Sequence, residues 1–150
     1  MTDAQDRLSQ GEIESFVTAL DFVREYAIRL VEVSPGAVTI DLPFDKRFSG
    51  PPGQFPASMV GAAGDVAAVI SCLSLLPRGF APATIDFTVK MTGVAKGDRL
   101  RAKGRVLQAG RTNSVGAADV YAVSGDNETL CGTVLATTRN FQIKPEKTAA

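Results

Sequence analysis

Asp65 is the one charged side chain in the run from Ala57 to Leu76, whose other members are apolar or small. A carboxylate set among such neighbours needs either a partner or a chemical task. Desolvation there raises its pKa, which suits a general base or a nucleophile. The alternative is a structural carboxylate, paired with an arginine or capping a loop. Histidine is missing from the whole chain. This removes Ser-His-Asp and Cys-His triads, imidazole acid-base catalysis and histidine-bearing zinc sites, and no metal is expected. Cys72 and Cys131 lie far apart in apolar runs without CxxC spacing and are expected to be reduced core residues. Ser58, in the first turn of the same run, lacks a base to activate it and reads as a capping or packing residue. The glycines form no GxxxxGK[ST] phosphate loop, so a nucleoside triphosphatase is unsupported.

The chain that must position Asp65 has 150 residues, 45% of them hydrophobic, enough for one sizeable core. We expect one domain over residues 11–143, with flexible tails at 1–10 and 144–150. Lys+Arg and Asp+Glu both number 16, so no net field draws nucleic acid or an anionic membrane, and neither is an expected partner. Met1 to Gln10 is polar and lacks the pattern of a signal peptide. Ala57 to Leu76 approaches membrane-span length, but Asp65, two glycines and three serines make it a core helix instead. A cytoplasmic location follows from these readings and from the cysteine usage.

Ser9-Gln10-Gly11-Glu12 fits a capping box, and Ile13, Phe16, Val17, Leu20, Val23 and Ala27 recur at helical spacing, predicting a helix from about Gly11 to Tyr26. Ile28 to Val33 and Ala37 to Phe44 alternate around Ser34-Pro35-Gly36, a hairpin pattern. Asp45 to Phe55 is a glycine- and proline-rich loop, and Pro56 suits the start of the Asp65 helix, which is expected to end near Leu76. Ala83 to Met91, Asp98 to Ala109, Thr112 to Val123 and Thr129 to Phe141 read as strands joined closely enough to be antiparallel neighbours. The fold class is α+β, a curved antiparallel β-sheet wrapped around one long central helix. Arg99, Arg101, Lys103 and Arg105 form a basic stripe on one strand face. It is either a phosphate-attracting surface or a solvated face that discourages edge pairing.

The run from Gly50 to Asp65 resembles the active-site segment of PaaI-like hotdog thioesterases, which reads N-P-x-G-x-x-H-G-G, then six residues, then Asp or Glu. Ile28 to Gly36, Thr84 to Val89, Gly97 to Leu100 and Gly110-Arg111-Thr112 are similar to that family's hairpin, strands and turns. The likeness covers about Tyr26 to Phe141. The signature histidine is replaced by Pro56, its two glycines by Ala57 and Ser58, and its asparagine by Gly50, while the carboxylate is kept as Asp65 and the strand hydroxyl as Thr84.

This resemblance implies a hotdog fold and hydrolysis of an acyl-CoA or related thioester, or binding of such a molecule without turnover. It gives Asp65 the role of base or nucleophile, Thr84 that of orienting water, and the backbone N–H of Ala57 that of polarising the carbonyl. Gly50, Gln54, Pro56 and Ser58 would line the substrate, and Lys90 and Arg111 would meet coenzyme A phosphates. No cofactor is implied beyond the coenzyme A carried by the substrate. Ala57 and Asp65 stand eight residues apart on one helix, about 12 Å along its axis, so one carbonyl cannot reach both. The resemblance therefore implies a homodimer, or a dimer of dimers, in which each helix start faces the partner's carboxylate.

Overall fold

The computed structural model describes residues 3–144. Met1, Thr2 and residues 145–150, where the two tails were expected, lie outside the described part. Of the rest of the first tail, Ala4–Asp6 forms a 3-10 turn and Arg7 bridges Pro77, so this segment is anchored on the fold.

Six strands form one antiparallel sheet: β1 (Arg29–Ser34), β2 (Ala37–Pro43), β3 (Phe80–Met91), β4 (Arg99–Ala109), β5 (Asn113–Ser124) and β6 (Asn127–Gln142). Their order is β1-β2-β4-β5-β6-β3, which leaves β1 and β3 at the edges. Every pairing is antiparallel, as the short connections require. The long helix α3 (Ala57–Leu73) packs on this sheet, with Val60, Ala63, Ala67 and Ala68 wholly buried.

The small residues of α3 let the sheet come very close. A Cβ at Gly104 on β4 would strike the backbone carbonyl of Ala67, so only glycine fits there. Glycine and alanine in this helix thus serve close helix-to-sheet packing. Among the described residues no helix is long and apolar enough to cross a membrane.

Two helix boundaries differ from expectation. The predicted Gly11–Tyr26 helix is two helices, α1 (Gln10–Thr18) and α2 (Asp21–Glu25). Leu20 adopts extended backbone, and the Arg24 guanidinium donates to the carbonyls of Thr18 and Ala19, so the end of α1 is capped from the next helix. Ala27, expected on the apolar face, is the left-handed residue after α2, at φ 54°. Helix α3 stops at Leu73 instead of Leu76, because the Leu75 and Leu76 N–H groups bond three residues back, to Cys72 and Leu73, tightening the last turn. The capping box forms as predicted: the Ser9 N–H donates to Glu12 at 2.8 Å and the Glu12 N–H to Ser9 Oγ at 3.3 Å.

Candidate active site

Asp65 is half-buried midway along α3, on the side that meets edge strand β3. Thr84 Oγ1 donates to Asp65 Oδ1 at 2.9 Å, which joins the two residues that the resemblance paired. Thr84 reaches the helix because β3 has a bulge between Thr84 and Asp86. One turn before Asp65 lies Gly61, where an added Cβ would stand 3.0 Å from Val89 and 3.4 Å from Phe87. These two β3 side chains therefore cover the same stretch of helix. Phe87 is 47% exposed and Met91 43%.

No cation pairs with Asp65 among the described residues. Burial pushes its carboxyl above the ordinary value, and the Thr84 hydrogen bond pulls it partly back. The ion pair that the structural alternative requires is found elsewhere. Asp41 on β2, only 4% exposed, accepts two 2.8 Å hydrogen bonds from Arg101. The basic stripe is consumed in the same way: Arg99 meets Asp98 and Asp41, Lys103 meets Glu128, and Arg105 meets Asp119. It is a neutralised sheet face.

At the start of α3, Pro56 is the residue just before the helix, with φ −70° and ψ 161°. Its carbonyl accepts from the N–H groups of Met59 and Val60, while those of Ala57 and Ser58 have no acceptor among the described residues. Ala57 and Ser58 are both exposed. The loop ahead of them is folded on itself, with the Gly50 N–H donating to the Gln54 carbonyl at 3.0 Å and the Phe55 N–H to Ala95 at 2.8 Å. A Cβ at Gly50 would stand 3.3 Å from the Pro56 ring. Gly50 and Pro56, two of the four departures from the family signature, are thus neighbours in space. Gln54 also bridges Lys96, a lysine that motif reasoning passed over because only the loop's fold brings it there.

Other expected residues are not gathered with Asp65 in one chain. Ala57 is two turns away along the helix. Lys90 is exposed on the face of β3 opposite to that of Val89, and so points away from α3. Arg111, in the turn between β4 and β5, lies beside the C-terminal end of α3. Cys72 and Cys131 are free and buried, and burial lifts the Cys72 thiol to about 11, so neither is a nucleophile.

Sequence reasoning also missed a buried polar cluster behind Thr84. Its cross-strand partner Thr138 donates to Asn140 at 3.4 Å, and Asn140 donates to Ser114 at 3.0 Å and to the Gly110 carbonyl at 2.9 Å. The signal was present in the alternation of β6, where Val134, Ala136, Thr138 and Asn140 all face inward.

No family model matches the chain, and no curated protein matches it by sequence. Solved structures do match. A thioesterase family protein from Silicibacter pomeroyi superposes with a TM-score of 0.83 at 25% identity, covering 87% of this chain and 96% of that one. A thioesterase from Haemophilus influenzae gives 0.80 at 14% identity, with 93% and 95% covered. A phenylacetic acid degradation-related protein from Ralstonia eutropha gives 0.70 at 22%, with 79% and 88% covered. The likeness read over about Tyr26 to Phe141 is therefore matched by the architecture as a whole, and in its hotdog-like α+β fold this chain stands with proteins of the thioesterase superfamily.

Proposed function

We propose that the protein hydrolyses an acyl-CoA or related acyl thioester at a site completed by a second copy of the chain. The observation that carries this reading is the Asp65 carboxylate, half-buried, without an ion pair among the described residues and held by the Thr84 hydroxyl. A carboxylate whose pKa is raised without a neutralising cation is suited to taking a proton.

As base, Asp65 removes a proton from water while the water oxygen bonds to the thioester carbon. The carbonyl oxygen becomes an oxyanion and accepts from the Ala57 N–H of the other chain, which lies at the positive end of α3. Collapse of this intermediate breaks the C–S bond, and the thiolate takes the proton from Asp65. The products are a carboxylic acid and a free thiol. As nucleophile, Asp65 would instead form a mixed anhydride that water then cleaves; both routes use the same groups. Gly50, Gln54, Pro56 and Ser58 line the acyl-thioester approach, and Lys90 is left for a coenzyme A phosphate if the assembly brings it within reach.

Dimerisation is supported by β3, which lies at the edge of the sheet, holds Asp65 through Thr84 and carries exposed Ile85, Phe87 and Met91. The replacements at Pro56 and Gly50 favour a second reading, in which the protein binds an acyl thioester without cleaving it.

One experiment separates these. A panel of acyl-CoA esters is assayed by colorimetric thiol release with the wild type, Asp65→Asn and Ala57→Pro. Proline at 57 removes only the N–H, because the first helical position tolerates it and Pro56 already has the extended backbone that a following proline demands. Each variant is expected to lose activity by about 100-fold or more. Mixing and re-annealing the two should restore part of it, since some mixed dimers keep one intact site. No thiol release above Asp65→Asn on any ester leaves binding as the function, and failure of mixing to restore activity removes the shared site.

A further inference from the structure

The cavity at the C-terminal end of α3 is not used by this mechanism. It measures about 680 Å³, within the roughly 300–1,000 Å³ of small-molecule sites. Leu75, Leu76, Phe80 and Val106 give it apolar walls, and no aspartate or glutamate among the described residues lines it. Ser114 on its lining accepts from Asn140. At the rim stands Arg111, exposed and without an ion pair among the described residues, whereas the arginines of neighbouring β4 are all paired. Arg7 also lines the cavity but is engaged within the chain.

We propose that this cavity is a second binding site, for an amphipathic carboxylate such as a medium-chain fatty acid, held tail inward with its head group on Arg111. The orientation follows from the helix. The C-terminal end of α3 carries the negative end of its dipole, which repels an anion from the interior, while the planar guanidinium at the rim matches a carboxylate. A cationic amphiphile finds no acidic partner here.

The site is separate from Asp65. Cys72 lines the cavity, whereas Asp65 is held by Thr84, whose cross-strand partner is Thr138. Thr138 is fully buried, so packed side chains divide the cavity from the carboxylate.

Calorimetric titration of the whole chain with decanoate tests the assignment, using wild type, Arg111→Gln, Ala109→Trp and Asp65→Asn, each checked by thermal melting. The wild type is expected to bind one decanoate per chain with Kd below about 1 mM, and Arg111→Gln to weaken this about tenfold. Ala109→Trp, at an exposed lining position, should fill the cavity and abolish binding. Asp65→Asn should bind as wild type, and decyltrimethylammonium should bind much more weakly than decanoate. The proposal is overturned if decanoate does not bind, if Arg111→Gln binds it as tightly as wild type, or if Asp65→Asn alone loses it, which would put the ligand at Asp65. Coenzyme A displacing decanoate would return Arg111 to a phosphate and also overturn it. None of these outcomes depends on thioester cleavage.

Discussion

Two glycines three residues apart on α3 should respond to the same substitution in opposite directions. In Gly61→Ala and Gly64→Ala, helix propensity favours alanine by about 1 kcal/mol at either position. The space around the new methyl group decides the sign. At position 61 it would stand 3.0 Å from Val89 Cγ2, a half-buried side chain on an edge strand that can yield a few tenths of an ångström. We expect Gly61→Ala to be neutral or stabilising by up to about 1 kcal/mol. At position 64 the methyl would stand 2.8 Å from Val134 Cβ and closer to its Cγ2, with Val120 at 3.2 Å. Both valines are wholly buried in central strands, so relief requires the helix and sheet to part. Overpacking of this kind costs about 1–3 kcal/mol and outweighs the propensity gain, leaving a net loss of up to about 2 kcal/mol. The two variants should therefore melt several degrees apart, on the order of 3–10 °C for a chain of this size. Urea unfolding at one fixed protein concentration measures the difference as a midpoint shift at constant m. A Gly64→Ala protein as stable as Gly61→Ala would refute the argument that small residues on α3 set the helix-to-sheet distance.

The pH dependence of thioester cleavage should follow Asp65. Burial raises its pKa, so the active base is lost on the acid side above the usual carboxylate range, and Thr84→Val, which removes the lowering hydrogen bond, should move that limb further up; a limb moving down would contradict the assignment. The same shift has a sign for stability. A carboxyl whose folded pKa is raised contributes stability that is fully present below its unfolded pKa and lost as pH rises through the folded value, so Asp65→Asn should stabilise the protein near neutral pH but not in acid, as paired urea titrations would record. Ala27→Gly relieves the left-handed backbone after α2 and should stabilise by about 0.5–1 kcal/mol in thermal melts, whereas a loss there would mean that the Ala27 methyl has a packing role.

Local signals settled a large share of this protein. The capping box, the proline-glycine hairpin turn and the alternation of the strands were readable because each depends on residues a few positions apart. The prominence of Asp65 rested equally on local contrast, a charge among small and apolar neighbours. The break between α1 and α2 was hidden, because it depends on Arg24 folding back onto the Thr18 and Ala19 carbonyls while the apolar spacing runs on unbroken. The basic stripe looked available for phosphates until Asp41, Asp98, Asp119 and Glu128 came alongside it from four separate places in the chain. The family resemblance pointed to Thr84 as a companion of Asp65, but only the β3 bulge turns its hydroxyl to the carboxylate. Arg111 and Lys90 were read as companions of that site, and sheet register puts one beyond the end of α3 and the other on the outer face. Chain neighbours set helix starts, turns and strand faces, whereas partners for a charge come from segments tens of residues away, and only their packing determines which charges meet.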